Sequence, residues 1–198
     1  MAETYQRYRT YDSPMARPRT RTDALATEIR DAALEIVRSE GPGALTTRHV
    51  ATVAGTNIAA LNQLYGGREG LVNAVALEGF ELLATSLPQA SGDMRRGLTE
   101  YAEATRRFSR ADPALTELMF MRPLAGPIAP GHGALKCRQV VIEMLGSSDE
   151  TDALAFAALL AGLTVQERHG LLGRTEEQRD RVWRAAVEVF ASGVRPGA

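Results

Sequence analysis

One cysteine, one lysine and one tryptophan stand among the 198 residues. A lone Cys137 cannot close a disulfide within the chain, so no covalent staple supports the fold. Arginine supplies nearly all of the 23 basic residues, which 24 acidic ones offset to a net charge of −1. That balance excludes a bulk positive field, and any attraction to nucleic acid has to come from local charge. No apolar run reaches the roughly 20 residues that a membrane-spanning helix needs. The longest uncharged one, Ala153 to Val165, reads as a buried helix. The opening MAETYQRYRTYDSPMARPRT has no apolar block of the secretory kind, and these absences together predict a cytoplasmic protein without membrane contact. His49, His132 and His169 are scattered, with no cysteine or carboxylate at ligand spacing, so no metal site is predicted. Neither a phosphate-cradling G-x-x-x-x-G-K nor a dinucleotide fingerprint occurs, and Cys137 has no base nearby in sequence. The chain is therefore expected to use no cofactor and to be no enzyme.

What is present is helical periodicity, with no run of strand alternation. Leu25, Ile29, Ala32, Ala33, Ile36 and Val37 repeat at helical spacing, and Gly41-Pro42 stops them, which predicts a helix over 23–40. Thr46 caps a short helix over 47–54, Gly55 breaks it, and Asn57 caps another over 58–65 that ends at Gly66-Gly67. A longer helix starts near Arg68 and stops before Pro88. Asp93 caps a helix with Met94, Leu98, Tyr101, Thr105 and Phe108 on one stripe, and Asp112-Pro113 opens the next. After a Pro/Gly-rich loop over 122–133, helices are expected over 134–145, from the Ser147/Glu150 capping pair to about 170, and from the Thr175/Gln178 pair to about 192. The fold class is all-α, about nine helices in total.

The two short helices around Gly55 have the makings of a helix-turn-helix. Ala51 provides the small contact, Gly55 the turn, and Val50, Leu61 and Leu64 the inward apolar set. Such a unit lays its second helix in the DNA major groove. Over Ile29 to Val75 the chain resembles the DNA-binding domain of TetR-family transcriptional repressors. The matching features are Ala32-Ala33, the glycine before Leu45-Thr46, Val50-Ala51 with Ala54-Gly55, the closing aromatic Tyr65, and Glu69 with Leu71. The resemblance implies a homodimer in which three N-terminal helices bind DNA and a larger helical domain binds a small ligand. The family commonly carries tyrosine where Asn62 stands and histidine where Leu64 stands. Asn62 and Gln63 are expected to read bases, in the neighbourhood of Asn57 and Ala59. Thr46, Thr47, Tyr65 and Arg68 are expected to meet phosphates, and Arg48 a guanine or a phosphate.

Residues 1–22 then form a net basic arm, 23–67 the DNA-binding domain, and 68–198 an effector-binding and dimerisation domain. The segment Thr151 to Gln166 is apolar nearly all round, so it is expected to be buried on more than one face. Pairing of the helices at about 148–170 and 176–192 with a second copy predicts a four-helix dimer interface. Tyr101, Phe108, Met119, Phe120 and Arg122 are the candidate lining of a pocket for an unnamed small-molecule effector. The function read from these features is a DNA-binding regulator, a ligand-responsive repressor on a palindromic operator. The alternative is a helical ligand-binding or adaptor protein on the same scaffold.

Overall fold

The computed structural model describes residues 19–90, 92–120, 122–146 and 150–194. Arg7, Arg9 and Arg17 of the basic arm, Met121, the capping residue Ser147 and Pro196 lie outside the described residues. Among those described there are nine α-helices, a single 3-10 turn at Pro42–Ala44, and no strand. The helices are α1 (Arg19–Glu40), α2 (Thr47–Val53), α3 (Ile58–Tyr65), α4 (Arg68–Ser86), α5 (Met94–Ala111), α6 (Pro113–Phe120), α7 (Gly133–Leu145), α8 (Glu150–Arg168) and α9 (Glu176–Gly193). The all-α expectation holds, and most boundaries fall within a residue or two of those predicted. Helix α1 begins at Arg19, four residues ahead of the expected start. The run Arg19-Thr20-Arg21-Thr22 contains no glycine or proline to stop it.

The caps are local and legible. The side chains of Thr46, Asn57 and Asp93 accept from the backbone amides of His49, Ala60 and Arg96. Thr175 and Gln178 form a reciprocal capping box. Gly66 and Gly146 close α3 and α7 in the left-handed conformation.

Two apolar clusters make the core. In the first, Ile29, Ala33, Ile36 and Val37 of α1 meet Leu45, Val50 of α2, Leu61 of α3, Leu71 and Val75 of α4, and Leu115 and Met119 of α6. In the second, Leu98 and Tyr101 of α5 meet Val141 and Leu145 of α7, Phe156 and Leu160 of α8, and Trp183 and Val187 of α9. The boundary expected at residues 67 and 68 falls inside the first cluster, because α4 packs on the short helices and on α6 alike.

Helix α4 is approached closely on three sides, and a glycine permits each approach. A Cβ on Gly70 would lie 1.7 Å from the Tyr65 carbonyl oxygen that ends α3. One on Gly79 would meet Met119 Sδ at 2.5 Å. One on Gly133, at the start of α7, would lie 2.5 Å from Glu81 Cα and 2.6 Å from the Phe80 carbonyl. The Gly133 amide instead donates to Glu81 Oε1 at 2.8 Å.

A second junction is ionic and joins α5, α8 and α9. Arg106 donates through Nε and Nη2 to Glu167, the shortest contact being 2.6 Å, and through Nη1 to Asp180 at 2.7 Å. Arg110 and the Trp183 indole N–H also donate to Glu167, at 2.6 and 2.9 Å. The Arg106 guanidinium lies 5.3 Å from the Trp183 ring centre, in cation–π range. Burial pushes the Glu167 carboxyl upward, but the bonds from Arg106 and Arg110 outweigh it and hold the group below the usual carboxylate range.

Two outcomes are expected in urea and thermal unfolding. Gly70→Ala drives a methyl into the end of α3 and lowers stability by about 2–3 kcal/mol; an unchanged midpoint would show that α3 and α4 do not need this approach. Glu167→Gln removes the carboxylate that Arg106 and Arg110 share, leaves them paired with Asp180 and Glu176 alone, and costs about 1–3 kcal/mol at pH 7. Because the folded carboxyl titrates low, its contribution is complete above an unfolded value of about 4.3 and is lost as pH falls through the folded one. The gap between wild type and Glu167→Gln therefore narrows below about pH 4.

Candidate functional site

The α2–α3 pair is a compact corner built from its turn outward. Gly55 adopts φ +62°, where a side chain would be strained, and its amide bonds the Thr52 carbonyl at 3.2 Å. The Thr56 amide reaches back to the Ala51 carbonyl at 2.9 Å, so the end of α2 is closed by a Schellman-type pair before α3 begins. Val50, Ala51 and Leu61 are buried and Leu64 is half-buried against the same cluster, as the inward apolar set requires.

The outer face is where the candidate reading groups lie. Asn57, Ala59, Asn62 and Gln63 on and before α3 are exposed, together with Thr46 and Arg48 at the start of α2, while Thr47 is half-buried. Thr46 and Asn57 each spend a side-chain oxygen on a cap, at 3.2 and 2.9 Å, and Asn57 keeps its amide N–H groups. Arg48 carries its charge without a carboxylate partner among the described residues. Two apolar side chains on this surface went unremarked in the sequence: Val53 at the end of α2 is 52% exposed and Ile58 at the start of α3 is 42% exposed. Exposed apolar groups beside Asn57 and Ala59 suit thymine methyls. The signal was available, since both fall off the inward stripe of their helices.

Two residues expected at phosphates have partners within the chain. The Tyr65 hydroxyl donates to the Ala26 carbonyl of α1 and so ties the end of α3 to the first helix. Burial pushes the pKa of this phenol upward. Arg68 donates from Nε to the Leu45 carbonyl at 2.9 Å and from Nη1 to Glu69 at 3.0 Å. Glu69 also accepts from Arg122 at 2.7 Å, which joins the segment after α6 to the start of α4 and, through Arg68, to the strand of chain entering α2.

A cavity of about 210 Å³ lies between α4, α5, α7 and α8, with Phe120 and part of the following loop as one wall. Of the five residues expected to line a pocket, Tyr101 and Phe120 do so. Phe108 and Met119 pack in the first apolar cluster instead, Met119 against Gly79. Arg122 is on the surface in its pair with Glu69. The helical stripe of Tyr101 and Phe108 could not separate core from cavity. Phe80, Leu83, Cys137, Phe156 and Leu160 line it as well. Among the described residues no three of His, Cys, Asp and Glu gather to hold a metal ion, and no helix is long and apolar enough to cross a membrane.

Within the single chain α8 is covered on one side. Ala153, Phe156, Leu160, Leu163 and Thr164 are buried, while Leu154, Ala155, Ala158 and Gly162 stand on an uncovered side. Val182, Ala185 and Val189 form a matching exposed stripe on α9.

Residues 29–75 match the model of the bacterial regulatory proteins of the tetR family. No curated protein matches the chain. Solved structures share its fold along most of their length. A protein with unknown function from Rhodococcus sp. RHA1 is 24% identical, with 86% of this chain and 95% of that chain covered and a TM-score of 0.62. Streptomyces coelicolor ActR in complex with (S)-DNPA is 21% identical, with 87% and 98% covered and a TM-score of 0.67. Mycobacterium smegmatis BioQ is 19% identical, with 85% and 96% covered and a TM-score of 0.63. At these identities the structural likeness establishes the fold. The segment that contains the α2–α3 corner, residues 29–75, is thus similar to the tetR family of bacterial regulatory proteins.

Proposed function

We propose that this protein is a DNA-binding transcriptional regulator, a repressor that binds a palindromic operator as a homodimer and releases it when a small molecule enters the α4–α8 cavity. The observation that carries the reading is the outer face of the corner: Asn62 and Gln63 of α3 are exposed, as is Arg48 of α2, while the inner face is sealed by Val50 and Leu61. Asparagine and glutamine pair bidentately with adenine, and Arg48 supplies an uncommitted cation for phosphate or guanine. With Tyr65 and Arg68 tied to α1 and to Leu45, those two act by holding the head in shape, and the reach to DNA falls to Thr46, Thr47, Arg48, Asn57, Ala59, Asn62 and Gln63.

The uncovered apolar stripes of α8 and α9 support the dimer. Leu154 at 54% and Val189 at 73% exposure are large apolar groups on adjacent helices, and small residues at Ala155, Ala158 and Gly162 permit close helix approach. A two-fold copy places two α3 helices for half-sites about 34 Å apart.

A ligand releases DNA only by favouring an arrangement that fits it poorly. Two connections from the cavity support such coupling. Phe80 of α4 lines the cavity, and the same helix seats α3 through Gly70. Phe120 lines it too, and Arg122 just beyond pairs with Glu69. ActR holds a small molecule on this fold, which agrees with a ligand-bearing domain here.

The second reading, a helical ligand-binding protein without specific DNA binding, is favoured by the commitment of Tyr65 and Arg68 to internal partners. Selection from random DNA separates the two, since the regulator recovers a palindrome and the other does not. On the recovered site, Gln63→Ala is expected to cost about 1–3 kcal/mol and to relax the preference at one position. Arg48→Ala weakens all sequences alike and reduces the salt slope by about one. Binding that neither change affects would remove this face as the reading surface. For the dimer, Ala158→Glu with Val189→Glu is expected to halve the mass in sedimentation equilibrium while helix content is kept. An unaltered mass would place the interface elsewhere.

A further inference from the structure

One residue of the cavity wall carries a polar group that the protein leaves unanswered. Thr105, on the apolar stripe of α5, lines it and is 2% exposed, and its Oγ1 has no hydrogen-bond partner. A helical threonine ordinarily returns its hydroxyl to the carbonyl one turn earlier, as Thr99 does to Arg95 and Thr116 to Asp112. An orphaned buried hydroxyl has given up its hydrogen bond to water without a replacement, a loss that a ligand recovers by pairing with it.

The other polar groups around the space are already paired. Tyr101 donates its hydroxyl to the Cys137 carbonyl at 3.1 Å, and the Cys137 thiol points to the Phe80 carbonyl at 3.8 Å. Both keep their protons: burial raises the Tyr101 phenol, and it pushes the Cys137 thiol up to about 11. Arg138 at the rim is matched by Glu150 at 3.0 Å. The remaining wall is aromatic and aliphatic. A charged guest would lose its hydration with no free counter-charge to replace it. Size sets the other limit, since a void of about 150 Å³ takes benzene and this one measures about 210 Å³.

We infer that the cavity takes an uncharged, mainly apolar molecule of one or two rings with a single hydroxyl or carbonyl, which pairs with Thr105 Oγ1. The inference rests on the ligand-responsive reading for its regulatory meaning, whereas its binding chemistry is tested separately. Calorimetry on the full chain at pH 7 compares 2-naphthol with naphthalene and with 2-naphthoate, in wild type, Thr105→Val and Thr105→Ser. Wild type is expected to bind 2-naphthol about fivefold or more tighter than naphthalene and to bind 2-naphthoate weakest. The valine variant, equal in shape, loses the advantage of the hydroxylated probe, and the serine variant keeps it.

Absence of 2-naphthol binding, tightest binding of 2-naphthoate, or an advantage unchanged in Thr105→Val each overturns the inference. The same samples are then tested on selected operator DNA. Thr105-dependent binding of 2-naphthol that leaves operator affinity unchanged upholds the cavity chemistry and removes the ligand-responsive part of the regulator reading.

Discussion

Everything in this fold depends on other chain segments touching the backbone of α4 more closely than a side chain would allow. Gly70 brings its first turn under the last carbonyl of α3, Gly79 admits Met119 of α6, and Gly133 sets the start of α7 on Phe80 and Glu81. These are hard-sphere requirements, and closely packed interiors have little room to absorb their violation. Because of them a single helix of 19 residues touches both the α2–α3 corner and the wall of the cavity. Motion of one end of a rigid helix is motion of the other, which is the simplest physical basis for communication between the two.

The far side of the molecule is held differently. There Arg106 and Arg110 of α5 and Trp183 of α9 converge on the partly buried Glu167 carboxylate of α8, and Arg106 also holds Asp180 of α9. Such a junction adds less net stability than apolar packing of the same volume, but losing one member leaves the others uncompensated. It fixes α9 against α5, and with it the relative placement of the exposed stripes on α8 and α9. The apolar packing of α4 and the ionic clasp of α9 thus divide the work between the α2–α3 corner and the exposed face of α8 and α9.

Much of this was legible in the sequence because its causes are local. A capping side chain finds its amide three residues on, so Thr46, Asn57, Asp93 and Thr175 announce their helices without knowledge of the fold. Gly55 declares its turn by the same logic. The parts that escaped have distant causes. Gly133 is required by Glu81, 52 positions earlier, and Tyr65 is claimed by Ala26 in another helix. Phe108 and Tyr101 share one stripe of α5, yet Phe108 packs against the first cluster while Tyr101, in the second, also walls the cavity, a distinction set by what other helices bring opposite them. Thr105 shows the same boundary of inference: its place on the stripe was evident, its lack of a partner was not.

The bond from Tyr65 to Ala26 has a consequence beyond stability. With its final turn anchored to α1 and its first turn capped by Asn57, α3 is held at both ends before any duplex is met. The conformational entropy of orienting this helix is lost on folding, so it is not lost again on association. On the proposed reading the head docks as a rigid die, and adaptation to an imperfect site falls to the long side chains on its surface and to the bending of the DNA itself.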